Sequence, residues 1–189
     1  MKADGPRLTG GTARSARLFS VPGLDVRPAL ARMRVSLFEI LRDRIEDARV
    51  LDLFAGTGCL GIESLSRGAR RAVFLDTDRR ALDAVRRNLD KLRFQDRAEV
   101  LAEDAFRAAE RLGPARVAFV DPPYRYFAER EAELRGLVET LLAKVLAGPE
   151  GRVVVEHRPG EGLGDVAGGT VVDERTYGGT VVTLYAPGR

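Results

Sequence analysis

Apolar and polar positions alternate along the chain in a pattern that predicts short strands separated by helices. From residue 29 to residue 44, apolar side chains recur every three or four positions, which predicts an amphipathic helix. Short apolar runs then predict strands at residues 50–54, 72–75, 100–101, 117–120 and 152–155. Helical patterns between them cover residues 60–66, 79–92 and 129–146. This alternation is typical of an α/β fold with a doubly wound, mainly parallel sheet.

The pattern changes near both ends of the chain. Residues 160–169 form a glycine-rich loop, and residues 170–173 and 180–185 alternate as strands around Tyr177-Gly178-Gly179, which predicts a C-terminal antiparallel hairpin. The first 28 residues are rich in Gly and Pro, so long helices are not expected there. We therefore expect a basic N-terminal extension over residues 1–28 and one α/β domain over residues 29–189.

Composition narrows the class of protein. Hydrophobic residues make up 44% and charged residues 31%, as in ordinary globular domains. No apolar run reaches the roughly 20 residues that span a bilayer, so we expect no membrane partner. The single cysteine, Cys59, gives no internal disulfide, and no Cys/His cluster indicates a metal site. We expect a cytoplasmic protein without a metal.

Basic residues are concentrated at the start of the chain. The first 34 residues carry seven basic side chains against two carboxylates, while the remainder is slightly acidic. Such a basic segment suits a polyanionic partner contacted through phosphates, and a solvated tail is the alternative. The candidates for contact with nucleic acid are Arg14, Arg17, Arg27, Arg32 and Arg34.

Residues 52–61 predict a nucleotide-binding turn between a strand and a helix. Gly56, Gly58 and Gly61 fit the pattern G-x-G-x-x-G, although any tight strand-to-helix turn favours glycine. NAD would place its pyrophosphate at this turn, where Asp52 would repel it. S-adenosylmethionine has no phosphate, and its ammonium and sulfonium groups would be attracted to Asp52. The charge at the turn therefore favours S-adenosylmethionine over NAD.

Two further carboxylates extend this cofactor hypothesis. Asp76 follows the second predicted strand, where it would accept hydrogen bonds from ribose hydroxyls, and Asp104 follows the third, where it would accept one from the adenine amino group. Carboxyl ends of strands are where open α/β sheets bind ligands. The predicted cofactor-binding residues are Asp52, Phe54, Gly56, Gly58, Asp76 and Asp104.

The tetrapeptide Asp121-Pro122-Pro123-Tyr124 follows the fourth predicted strand and carries the predicted chemistry. An exocyclic amino nitrogen of a base is a poor nucleophile because its lone pair is delocalised into the ring. The Asp121 carboxylate and the Pro122 carbonyl would accept its two N–H bonds and aim the lone pair at a methyl donor, while Tyr124 would stack on the base. An ordinary turn is the alternative. We predict Asp121, Pro122 and Tyr124 as catalytic residues, with Tyr124 also contacting RNA.

These residues together resemble the RsmD family of ribosomal RNA guanine-N2 methyltransferases. The resemblance rests on Arg27-Pro28 with Arg32-Met33-Arg34, on residues 52–61 with Leu65-Ser66-Arg67-Gly68-Ala69, on the tetrapeptide, and on Tyr177-Gly178. It implies a Rossmann-like class I methyltransferase fold, S-adenosylmethionine as cofactor, and transfer to guanine N2. The implied partner is small-subunit (16S) ribosomal RNA or a small-subunit particle, and we expect a monomer.

The sequence departs from the family pattern at a few positions. Ala29-Leu30-Ala31 replaces Thr-Thr-Asp, Cys59 stands where alanine is usual, and Asp76 replaces the commoner glutamate. Two alternatives to guanine-N2 transfer therefore stay open. One is amino methylation of another acceptor, such as adenine N6 in DNA or RNA or a protein glutamine. The other is a non-catalytic RNA-binding or assembly module that keeps the fold.

Overall fold

One mixed sheet organises the molecule. The structure, a computed structural model, describes residues 4–21 and 28–188. Within them, seven strands lie in the order β3-β2-β1-β4-β5-β7-β6. Their bounds are β1 Arg49–Asp52, β2 Arg71–Leu75, β3 Ala98–Leu101, β4 Val117–Val120, β5 Arg152–His157, β6 Gly169–Tyr177 and β7 Thr180–Pro187. Strands β1 to β5 pair in parallel and β7 runs antiparallel to both neighbours, which confirms the predicted Rossmann-like fold with its C-terminal hairpin.

Helices connect the parallel strands and cover the sheet. They are α1 Pro28–Ile40, α2 Arg42–Ile45, α3 Cys59–Ser66, α4 Arg79–Leu92, α5 Ala105–Ala108, α6 Tyr126–Glu129 and α7 Glu131–Thr140, followed by a π-helical turn at Leu141–Val145. Two short 3-10 turns lie at Gln95–Arg97 and Ala109–Arg111. In the part of the chain that the structure describes, no helix is long and apolar enough to cross a membrane.

The predicted long helix over residues 129–146 is divided in the structure. It begins earlier, at α6, and breaks at Arg130, whose backbone φ of −138° is not helical. The guanidinium of Arg130 lies 4.0 Å from the centre of the Phe106 ring and also over Tyr126, so a tertiary contact accompanies the break. At the other end, the Leu146 amide bonds to the Leu141 carbonyl, five residues back, which closes the π-helical turn.

Two hydrophobic layers lie on the two faces of the sheet. One contains Phe38, Phe74 and Phe119 under α1 and α3, and the other contains Val120 and Tyr185 under α7. These side chains are almost completely buried. Packing of these layers keeps the strands of the sheet in register. The residues that come directly after each strand therefore lie at fixed positions along one edge of the sheet.

Residues 4–21, called the N-terminal segment below, are packed on the body and do not form a solvated tail. Leu8 and Leu18 are buried in the same hydrophobic layer as α1 and α3. The buried Glu63 carboxylate of α3 accepts two bonds from the Thr9 amide, at 2.8 and 3.1 Å, and one from its hydroxyl, at 2.8 Å. The segment is therefore a fixed part of the structure.

A second anchor joins the N-terminal segment to α4. Asn88 is fully buried, and its amide side chain accepts a bond from the Phe19 amide at 2.7 Å while donating to the Phe19 carbonyl at 3.2 Å. The same side chain donates to the Thr57 carbonyl at 3.1 Å. One asparagine thus connects the N-terminal segment with the glycine-rich turn before α3.

Candidate functional site

A cavity of about 450 Å³ opens at the carboxyl ends of the parallel strands. Such a volume is ordinary for a small-molecule site, which spans about 300–1,000 Å³. Most of the predicted site residues line it, namely Arg34, Asp52, Phe54, Gly56, Asp76, Asp104, Asp121, Pro122 and Tyr124. Residues that the sequence prediction did not include also line it, and Glu156, Phe106, Tyr126 and Arg130 are among them.

The glycine-rich turn is shaped by its backbone and by close packing. Gly58 precedes α3 with φ +78°, a left-handed conformation that favours glycine. A Cβ on Gly61 would lie 2.3 Å from a ring atom of Phe74, so a side chain at that position would collide with the sheet. Gly56 lines the cavity, whereas Gly58 does not. Gly58 therefore shapes the turn behind the cavity.

Asp52 is a buried carboxylate at the end of β1. Its side chain is 2% exposed and accepts a bond from the Gly61 amide at 2.9 Å. Burial raises the pKa of Asp52 to about 7, the Gly61 bond opposes that rise, and the charges of Asp121 and Asp76 add to it. A cation bound beside Asp52 would favour its ionised form and be attracted by it.

Asp76 and Asp104 each support the local backbone while facing the cavity. Asp76 accepts bonds from the Gly56 amide at 2.9 Å and the Asp78 amide at 2.8 Å. Asp104 caps α5 by accepting a bond from the Phe106 amide at 2.8 Å. These bonds use only some of the lone pairs of each carboxylate. Each carboxylate can therefore still accept a hydrogen bond from a ligand.

Carboxylates lie at or just after the carboxyl ends of five adjacent strands, and Glu103 accompanies Asp104 after β3. In sheet order from β3 to β5 they are Asp104, Asp76, Asp52, Asp121 and Glu156. All five line the cavity. Their combined charge favours a ligand that carries cationic groups or several hydrogen-bond donors.

The tetrapeptide after β4 forms one wall of the cavity. Burial raises the pKa of Asp121 well above its usual range, and the neighbouring Glu156 charge adds to the rise. The Tyr124 hydroxyl lies 3.3 Å from that of Thr180 and 3.5 Å from Glu156 Oε1. The Arg158 guanidinium lies over the Tyr124 ring, 4.6 Å from its centre. A base that stacks on Tyr124 must therefore displace Arg158 or use the opposite face of the ring.

Arg34 faces the cavity, unlike Arg14, Arg17 and Arg32. It is 5% exposed, donates to the Arg7 carbonyl at 2.9 Å, and has a buried Nε without a hydrogen-bond partner among the described residues. A buried guanidinium with an unsatisfied donor in a cavity is suited to an anionic or acceptor group of a ligand.

Three of the other arginines predicted to contact RNA lie outside the cavity. Arg14 and Arg17 are exposed on the N-terminal segment, and Arg32 is exposed on α1. None of the three lines the cavity. Arg27 lies outside the described residues.

Three aromatic rings form a wall of the cavity, and the sequence predicted only Phe54 among them. Phe54, Phe106 and Tyr126 contact one another with ring centres 5.8–6.4 Å apart, and Arg130 covers two of the rings. Phe106 lies on the short helix α5 and is half-buried against the hydrophobic layer that contains Val120. Glu156 lies near the end of an apolar strand, so its sequence context did not mark it as a site residue. Its position beside Asp121 was the one feature that could have identified it.

The surroundings of Cys59 and His157 indicate a structural role for both side chains. Burial raises the pKa of the Cys59 thiol to about 12, so the reactive thiolate is disfavoured. The His157 ring nitrogens lie 2.8 Å from the Arg158 carbonyl and 2.8 Å from the Thr183 hydroxyl. Among the residues described, no group of three or more His, Cys, Asp and Glu side chains has an arrangement suited to a metal ion.

This geometry agrees with the similarity of the chain to known proteins. The profile of a protein family described as Conserved hypothetical protein 95 matches residues 6–186. The chain belongs to this family. A relative from Bacillus subtilis, named as a candidate rRNA methyltransferase, YlbH, is 34% identical over 184 residues, which cover 95% of this chain and 97% of that protein.

Two comparisons with Escherichia coli, one of sequence and one of structure, extend this result within the family. Ribosomal RNA small subunit methyltransferase D of strain K12 is 35% identical over 133 residues, 70% of this chain and 63% of that protein. The solved structure of the candidate methyltransferase yhhF superposes with a TM-score of 0.82 at 33% identity, covering 96% of this chain and 97% of that one. The family is thus that of RsmD-like methyltransferases, which confirms the resemblance inferred from the sequence motifs.

Proposed function

We propose that this protein transfers a methyl group from S-adenosylmethionine to the exocyclic N2 of a guanine in small-subunit ribosomal RNA. One observation carries the proposal. The Asp121-Pro122-Pro123-Tyr124 wall and the glycine-rich turn with its carboxylates line one cavity. The methyltransferase names of the family relatives support the reaction, and the name of the Escherichia coli relative supports the RNA substrate.

The chemistry of the cavity fits S-adenosylmethionine. We assign Asp76 to the ribose hydroxyls and Asp104 to the adenine amino group, beside the aromatic side chains of Phe54 and Phe106. The methionine end of the cofactor carries an ammonium and a carboxylate, which match the buried Asp52 and the unsatisfied Nε of Arg34. Arg34 is therefore assigned to the cofactor, although its sequence pattern predicted contact with RNA.

The residues of the chain position the amino group for transfer. When bound, S-adenosylmethionine supplies an electrophilic methyl group on a sulfonium. The Asp121 carboxylate and the Pro122 carbonyl accept the two N–H bonds of the amino group, and Tyr124 stacks on the base. As the nitrogen gains the methyl group, the methyl–sulfur bond would break with the neutral thioether as leaving group, and the nitrogen would lose one proton to the Asp121 carboxylate. Burial and the Glu156 charge raise the pKa of Asp121, which makes its carboxylate a better proton acceptor.

Mass mapping of ribosomal RNA tests the reaction and its acceptor. Small-subunit RNA from cells without this gene should lack one N2-methylguanine, and expression of the wild-type protein should restore it. The Asp121→Ala variant should fail to restore it and should reduce turnover in vitro by at least about 10²-fold, because the acceptor for the amino group is gone. Loss of N6-methyladenine in place of N2-methylguanine would change the assigned acceptor to adenine, and RNA unchanged by the loss of the gene would contradict an RNA acceptor. Full restoration by the variant would contradict the assigned chemistry.

Calorimetric titration tests the cofactor separately. The purified protein should bind S-adenosylmethionine and its demethylated product, and it should not bind NAD, because the pyrophosphate would meet Asp52. The Asp121→Ala variant should retain near wild-type affinity for S-adenosylmethionine. Binding of NAD without binding of S-adenosylmethionine would contradict the methyltransferase proposal.

A further inference from the structure

Glu156 is a buried carboxylate beside the proposed acceptor of the target amino group. The parallel register pairs Val120 of β4 with Val155 of β5, so Asp121 and Glu156 are neighbours one position further along. Glu156 is 7% exposed and lines the same cavity as Asp121. Its Oε1 lies 3.5 Å from the hydroxyl of Tyr124, the residue assigned to stacking. These contacts place Glu156 beside Asp121 and Tyr124, the two residues assigned to the base.

Two adjacent carboxylates distinguish the hydrogen-bonding edges of the bases. The amino-bearing edge of guanine presents the N2 amino group next to N1–H, so two neighbouring nitrogens both donate. Adenine and cytosine place a ring nitrogen that accepts beside their amino group. An ionised carboxylate only accepts hydrogen bonds, so a pair of them complements guanine and repels the other two edges.

We infer that Glu156 is a specificity-determining residue, which accepts the N1–H of guanine while Asp121 accepts an N–H of the N2 amino group. This inference rests on the proposed function and names the side chain that restricts methyl transfer to guanine. Burial and the charge of Glu156 raise the pKa of Asp121 when no base is bound. The N1–H and N2–H donors of guanine favour the ionised form of both carboxylates and so compensate their burial. Independently of these carboxylates, the buried and unpartnered Nε of Arg34 marks the cavity as one that takes a ligand.

The analogue 2-aminopurine tests this contact directly. It keeps the amino group at C2 but has an accepting N1 where guanine has N1–H. It also lacks O6, so the change of preference in a Glu156 variant is what assigns the effect to N1. Once the methylated guanine is mapped, small-subunit RNA is assembled with guanine or 2-aminopurine at that position, and kcat/KM for methyl transfer is measured on both. The wild-type protein should prefer guanine by about tenfold or more, because Glu156 repels the N1 lone pair of the analogue.

The Glu156→Gln variant should reverse part of this preference. The glutamine amide has nearly the same shape and donates to N1 of 2-aminopurine, so the ratio of guanine to 2-aminopurine kcat/KM should fall about tenfold or more. A merely structural role for Glu156 would instead lower both rates by the same factor. Thr180→Val is the matched control, because Thr180 also contacts the Tyr124 hydroxyl, and its ratio should equal that of the wild type.

The outcomes separate this inference from the proposed function. Equal wild-type rates on guanine and 2-aminopurine would overturn the role of Glu156 while leaving guanine-N2 transfer intact, and this result does not depend on whether the variant folds. An unchanged ratio in a folded Glu156→Gln variant, verified by its binding of S-adenosylmethionine, would overturn it equally. Failure of the wild-type protein to methylate guanine N2 would overturn the proposed function and this inference with it.

Discussion

At the scale of single residues, the buried charge of Asp52 favours binding of a cationic ligand but lowers the stability of the protein without ligand. The pKa of Asp52 rises from 3.8 to about 7, chiefly because the carboxyl is buried. The folded protein therefore holds a proton at Asp52 that the unfolded chain has lost, between pH 4 and pH 7. Above about pH 7 the folded protein carries the full cost of a buried charge, at about 1.4 kcal/mol for each unit of difference between the two pKa values.

We predict that Asp52→Asn stabilises the protein without ligand and weakens cofactor binding. The asparagine carbonyl still accepts the Gly61 amide bond but carries no charge. The gain in Tm over the wild type should grow as pH rises from 5 to 7 and then level off, while affinity for S-adenosylmethionine should fall. Thermal denaturation and calorimetry at pH 5, 6, 7 and 8 measure both effects. A lower Tm for the variant at pH 8 would show that ionised Asp52 stabilises the fold.

At the scale of structural elements, Asn88 on α4 joins two segments that lie 38 positions apart in the chain, Phe19 and Thr57. Asn88→Ala would leave the Phe19 amide and two carbonyls without partners, at about 1–3 kcal/mol for each buried group. We predict a lower Tm and faster hydrogen exchange at Phe19 and at the glycine-rich turn. Differential scanning calorimetry and hydrogen-exchange mass spectrometry measure these effects.

The control for Asn88 is a neighbour that contacts the same segment from the surface of α4. Lys91 donates to the Arg17 carbonyl at 2.7 Å and lies over the Phe19 ring. Lys91→Ala should cost much less stability, because water replaces the partner of an exposed carbonyl. Fast exchange confined to Phe19, with a protected glycine-rich turn, would show that Asn88 does not couple the two.

The elements also show which features a sequence can predict. Strand β4 and helix α4 match their predicted bounds because their apolar residues alternate cleanly with turns and charges. Strand β6 extends to Tyr177, well past its predicted end, because most of its side chains are exposed on both faces and give no alternation. The carboxylates Asp52, Asp76, Asp104 and Asp121 were predicted from strand ends, whereas Glu156 was not. Of the aromatic wall, Phe54 was predicted, but Phe106 and Tyr126 depend on how α5 and α6 pack, which periodicity does not encode.

At the scale of the whole molecule, positive charge on the N-terminal segment and α1 is fixed relative to the cavity. Arg14 and Arg17 are exposed on a segment that is itself anchored to α3 and α4. We predict that replacing Arg14, Arg17 and Arg32 together by alanine weakens RNA binding. Each lost phosphate contact should reduce the slope of log affinity against log salt by roughly 0.7–0.9. Filter binding across salt concentrations measures the slope.

A second triple variant controls for the loss of positive charge alone. Arg70, Arg71 and Arg116 are exposed at the amino ends of the strands, opposite the cavity. Their replacement by alanine should leave the salt slope nearly unchanged, and both triple variants should bind S-adenosylmethionine as the wild type does. Equal slopes for the two triple variants would place the RNA-binding surface elsewhere.

The position of β7 has a consequence for how the sheet is completed during synthesis. Strand β7 lies between β5 and β6, although it follows both in the chain. When β6 emerges from the ribosome, its place at the sheet edge does not yet exist, and the edge of β5 is still unpaired. A nascent chain that stalls before β7 therefore exposes an open strand edge, which is a template for aggregation. Translation through residue 187 is thus required before β5 gains its second neighbour in the sheet and β6 gains its place at the edge.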